Sequence, residues 1–154
     1  MVTRFVAALT LAFASPLFAQ AAVTAPDFSY ASPLAGSWAY VPGTDGSHAV
    51  FRDTAGRPQL TIQCTRSQRR ITIVKPASGA AAAVSIWTSS GSRSIPTSFQ
   101  PATAQLTAQL SAYDPFLDSI AFSRGRIAAI VSGGPALVMP AWAETTRVIE
   151  DCRS

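Results

Sequence analysis

Gln59-Leu60-Thr61-Ile62-Gln63-Cys64, followed by Thr65-Arg66-Ser67-Gln68 and then Arg69-Arg70-Ile71-Thr72-Ile73-Val74, is the stretch that decides the fold. Leu60, Ile62 and Cys64 alternate with Gln59, Thr61 and Gln63. A strand turns successive side chains to opposite faces, so this segment has one apolar face and one polar face. Arg70 to Val74 is the matching hairpin partner, and Thr65 to Gln68 is the turn between them.

The same reading extends in both directions. Upstream, Gly36 to Val41 and His48 to Phe51 are strand candidates. Pro42 to Gly46 and Asp53 to Pro58 are the turns, rich in the residues that turns favour. Downstream, Ala82 to Thr88 is a strand, Ser89 to Ser92 a turn, and Arg93 to Ile95 a short return. Pro96 is expected to confine that return to an edge or an end. Residues 102–112 alternate strictly, which favours strand, while their alanine, glutamine and leucine content leaves helix as the alternative. Asp114 can cap a helix over 114–122, with Pro115 at its first position. Asp118 then lies near the positive end of its dipole, Arg124 and Arg126 sit at the negative end, and Gly125 can terminate the helix. Arg126 to Val131 and Ala136 to Met139 form the next hairpin. A last helix runs from Pro140 or Ala141 to Cys152, with Ala141, Thr145, Val148 and Cys152 as its buried stripe. Arg147 can reach Glu144, Glu150 and Asp151 at helical spacings. The fold class is mainly β (α+β): a small antiparallel barrel or sandwich with two short helices, the last one C-terminal.

The N-terminus points to export. Arg4 gives a short basic start, Phe5 to Ala14 is apolar, and Ala19-Gln20-Ala21 is an A-x-A cleavage site. The apolar run is too short to span a bilayer, which takes roughly 20 residues. The organisation expected is a signal peptide over 1–21, a flexible lead-in over 22–35 and one β-rich domain over 36–154. A periplasmic or secreted location follows, with no transmembrane segment in the mature form. Cleavage after Ala21 leaves 133 residues, enough for one domain with its own core. Only 13% of the chain is charged and the formal net charge is +4.

Cys64 and Cys152 are the only cysteines. In an oxidising compartment such a pair reads as a disulfide. Metal ligation is the competing reading, but His48 is the only histidine and no C-x-x-C spacing exists. No cofactor is expected.

Few residues suggest chemistry. His48 is flanked by Asp45 and Asp53, so a Ser-His-Asp arrangement is arithmetically available, without a G-x-S-x-G elbow. Asp114 and Asp118 form an i, i+4 carboxylate pair whose capping and dipole roles already account for both. Arg66, Arg69 and Arg70 cluster at one turn. With Arg93 and Trp87 they make the candidate interaction surface, since tryptophan and arginine are typical interface anchors. Nucleic acid is not expected, because no aromatics are interleaved for base stacking. Gly36-Ser37-Trp38 resembles the G-x-W at the first strand of lipocalin-like barrels, where the tryptophan closes one end.

Asp114-Pro-Phe-Leu-Asp-Ser-Ile-Ala-Phe-Ser-Arg-Gly-Arg126 and Arg147-Val-Ile-Glu-Asp-Cys-Arg153 resemble segments of uncharacterised secreted proteins of alphaproteobacterial type. They are also similar to the ending of the invasion-associated locus B family of exported β proteins. That resemblance implies a periplasmic β domain without enzymatic activity and carries over no functional residue. The expected function is a non-enzymatic binding module for a protein, glycan or envelope component. The alternative is a small-ligand carrier on a calycin-like barrel.

Overall fold

A computed structural model describes residues 26–154. The expected signal peptide lies outside the described residues. The strands are β1 (Gly36–Gly43), β2 (Gly46–Asp53), β3 (Pro58–Thr65), β4 (Arg70–Pro76), β5 (Ala83–Thr88), β6 (Gly91–Gln100), β7 (Gln105–Ser111), β8 (Arg126–Val131) and β9 (Leu137–Pro140). The helices are α1 (Phe116–Ala121) and α2 (Ala143–Arg153).

All strands join one antiparallel sheet in the order β1-β2-β3-β4-β7-β6-β5-β8-β9. The sheet curls into a half-barrel, and α2 packs against the β1–β4 side of its concave face. The alternation at residues 59–74 sets the register: Cys64 faces Ile71, and Ile62 faces Ile73. All four are buried, with Leu60 continuing the row. Each such side chain withdrawn from water contributes about 1.5–3 kcal/mol.

Residues 105–111 are strand, and helix propensity is overridden. Leu106, Ala108 and Leu110 are buried in a strand paired on both sides, with β4 and β6. Residues 101–104 turn instead of extending that strand, and Ala104 has a φ of 51°. The return strand expected over Arg93–Ile95 is longer than predicted and runs straight through Pro96. Pro96 is the last residue to pair with β5, and Thr97 is the first to pair with β7. At this handover the missing N–H interrupts no continuous ladder.

The first helix is shorter than the expected 114–122. Asp114 still caps it: its carboxylate accepts the Phe116 N–H at 2.9 Å, and its carbonyl accepts the Leu117 N–H at 3.0 Å. Asp118 pairs with Arg153 at 2.6 Å, linking the two helices. The last helix starts at Ala143, because Pro140 remains in β9. Thr145, Val148 and Cys152 are buried as expected, with Ile149 beside them, whereas Ala141 falls ahead of the helix and is half-buried.

The stretch read as a flexible lead-in is docked over much of its described length. The Arg126 guanidinium donates to the carbonyls of Ala31 and Ser29 at 2.5 and 2.6 Å, so Arg126 serves this segment rather than the end of α1. Phe28 meets the Trp87 ring edge-on at 5.7 Å, and the Leu34 N–H donates to Val138 at 2.8 Å. Glycine is required at two crowded places. A Cβ on Gly36 would lie 2.1 Å from the Arg52 carbonyl oxygen. One on Gly46, whose φ is +122°, would lie 2.5 Å from the carbonyl oxygen of Cys64.

Candidate functional site

Cys64 and Cys152 form the expected disulfide, with Cα atoms 5.4 Å apart. It bolts the C-terminal turn of α2 to the end of β3. That junction explains the arginine cluster. Arg66 Nε donates to the Asp151 carbonyl at 3.2 Å, and Arg69 donates to the carbonyls of Cys152 at 3.4 Å and Ser154 at 2.8 Å. These are carbonyls at the end of a helix, which lack partners within it and sit at its negative pole. Arg70 donates to Gln109 at 2.5 Å. Arg93 pairs with Asp114 at 2.6 Å and lies 5.7 Å above the Phe116 ring. Trp87 does not join these arginines in an exposed anchor. It is 7% exposed, on the outer face of β5, packed with Ala128 and Val138 and covered by Phe28.

The Ser-His-Asp arrangement does not assemble from the residues that suggested it. Ser47 and His48 are neighbours on β2 and so point to opposite faces. Ser47 donates to Asp151 at 2.6 Å. The Asp45 carboxylate accepts the N–H and hydroxyl of Ser67 at 2.8 and 2.5 Å. Asp53 is held by the N–H groups of Ala55 and Arg57 and by the Arg57 and Gln59 side chains. These bonds hold both carboxyl groups below the ordinary aspartate value. Ser67 is the main cause for Asp45 and the Arg57 N–H for Asp53. Among the described residues no three His, Cys, Asp or Glu side chains gather to hold a metal ion, and no helix is long and apolar enough to cross a membrane.

A different surface stands out. Alternation in β1 puts Tyr40 on the same face as Trp38, against α2. Its hydroxyl donates to Asp151 at 2.7 Å, and the Arg147 guanidinium lies 4.0 Å from its ring centre. Arg147 therefore stacks on Tyr40, where helical spacing suggested ion pairs with its acidic neighbours. Stacking holds the cation in place while leaving its N–H groups toward solvent. Phe122, just past α1, is 74% exposed, a large apolar side chain presented to water. Tyr40, Phe122, Glu144, Arg147 and Glu150 line one open groove of about 680 Å³. Trp142, at the start of α2, is a further exposed aromatic, at 42%.

Sequence reasoning reached only one wall of this groove: Glu144, Glu150 and Asp151, with Arg147 between them on the last helix, offer a docking face for a cationic partner as the alternative to a salt-bridged surface. The β1 alternation did signal that Tyr40 lies beside Trp38. Nothing in the local pattern signalled that Phe122 would be left outside, because it falls beyond the short helix whose apolar face is buried. Comparison of the chain with protein-family models, with curated proteins and with solved structures returns no match.

Proposed function

We propose that this chain is an exported interaction module that binds a protein partner through the face formed by α2, the end of α1 and β1. The observation that carries the reading is the exposed Phe122 beside the Tyr40–Arg147 stack, flanked by Glu144 and Glu150. Aromatic and arginine side chains held in place are the usual anchors of protein interfaces. The two glutamates outnumber the one arginine. The complementary partner is therefore a segment with a lysine or arginine next to an apolar side chain. The concave face is filled by Phe51, Ile73, Ile86, Met139 and the helix side chains, which favours this reading over a ligand carried inside a barrel. The disulfide fits the oxidising compartment that the N-terminal sequence implies.

Capture from a periplasmic extract tests the reading. The wild-type protein and a Phe122→Ser, Arg147→Ala variant would be immobilised side by side, and retained proteins identified by mass spectrometry. Both changes are at exposed positions, so near-ultraviolet circular dichroism should be unchanged. The expected result is a partner retained by the wild type and lost from the variant. Equal retention by both, or retention of glycan alone, overturns the proposal. The intact mass of the protein recovered from the periplasm should show that about the first 21 residues are gone, as signal-peptide cleavage requires.

A further inference from the structure

Lys75 is the only lysine in the sequence, and its position is unusual. Along β4 the inward row reads Ile71, Ile73, Lys75, and the first two are buried core. Across the ladder Lys75 faces Leu106 of β7, also buried. An ammonium group thus occupies the next apolar position at the end of the row, and it is only half-buried there. Among the described residues no carboxylate forms an ion pair with it.

Two open grooves meet at this side chain. One, of about 390 Å³, is walled by Leu34, Ala136, Leu137 and Val138, with Ser32 and Gln59 as its polar groups besides Lys75. The other, of about 340 Å³, runs between the loop that follows β4 and the loop that follows β8. Volumes of this order are those of small-molecule sites, which combine apolar walls with a few polar groups that fix orientation.

We propose that this groove is a binding site for a small amphipathic carboxylate, its anionic end on Lys75 and its hydrocarbon body along the wall of Leu34, Leu137 and Val138. The chemistry of the lining selects this class. One cation matches one monoanion, and most of the side chains that line the groove with it are hydrocarbon. A phosphate dianion calls for more charged donors than one ammonium, helped by the Ser32 hydroxyl and by a Gln59 amide already donating to Asp53, provides. Burial lowers the pKa of Lys75, a sign that its charge is incompletely solvated. An anion at this position would relieve that penalty. No lining residue is shared with the α2 groove, so the site is independent of the protein-binding reading.

The test uses the full-length protein with isotopically labelled lysine, which gives a single side-chain resonance, and octanoate as the probe. Octanoate should shift that resonance saturably. Octanol and octylammonium should bind at least about tenfold more weakly, a difference that is easily resolved in such titrations. Lys75→Met should weaken octanoate binding by at least about tenfold, measured calorimetrically, and Lys75→Arg should retain most of it. An unshifted resonance overturns the proposal. So does equal binding of octylammonium, equal binding by Lys75→Met, or an equally strong response to inorganic phosphate. The comparison among probes on the wild type stands even if a variant folds poorly.

Discussion

The indole Nε1 of Trp38 donates to the carbonyl of Pro140 across 2.9 Å, tying the first strand of the sheet to the end of the last. The two edge strands do not pair as a ladder, yet the curl brings them together here, and the Leu34–Val138 bond ties the segment just before β1 to β9. Trp38 is 5% exposed and packs against Phe51 with ring centres 5.4 Å apart. It therefore closes the gap between the edges while filling core. Trp38→Phe would keep an aromatic ring and leave the Pro140 carbonyl without its donor. The expected loss is about 1 kcal/mol, read from urea unfolding, the usual net worth of such a part-buried hydrogen bond. An unchanged midpoint would show that the bond does not hold the edges.

The disulfide should be a main determinant of stability. It spans 88 residues of sequence, and crosslinking a loop of that length restricts the unfolded chain strongly. By the chain-entropy argument, Cys64→Ser with Cys152→Ser should lose roughly 4–5 kcal/mol. Unfolding of the oxidised wild type and the double variant measures this directly. A thiol assay on the native protein should detect no free thiol, and two reactive thiols would contradict the pairing.

Acid should weaken the attachment of α2. Burial pushes the Asp151 pKa up. The hydrogen bonds from Ser47 and Tyr40 and the charges of Arg147 and Arg66 outweigh it, leaving the pKa below the ordinary value. A carboxyl depressed in this way stabilises the fold fully above its unfolded pKa, and that contribution is lost as pH falls through the lower folded value. Loss should therefore begin near the ordinary aspartate range, about pH 4, and deepen below it. Asp45, Asp53 and Asp114 lean the same way. Asp151→Asn should be less stable than the wild type at neutral pH and lose less on acidification. Urea midpoints across the acid range give both slopes, and parallel slopes would remove Asp151 from the account.

The alternation at 59–74 was enough to recognise a β fold, because burial of one face is written directly into a period of two. It was not enough to order the strands. β4 pairs with β7, while β5 and β6 fold back to lie beyond it, and alternation carries no label for its partner. Pro96 misled because the rule against proline applies to a continuous ladder, and β6 changes partner there. The roles of Arg66 and Arg69 were implicit once Cys64 was paired with Cys152. The turn after Cys64 must then lie beside the last carbonyls of α2. Trp87 was read as a surface anchor because its cover, Phe28, belongs to a segment with no period of its own.

Site-specific photocrosslinking in the source cells tests the central claim most directly. A photoreactive residue would replace Phe122 or Glu144 on the proposed face, and Ser98 on the exposed surface of β6 as a control. The account predicts one protein adduct, the same from positions 122 and 144, and none from position 98. Adducts equally abundant from all three positions, or none from position 122 in correctly exported and oxidised protein, would contradict it.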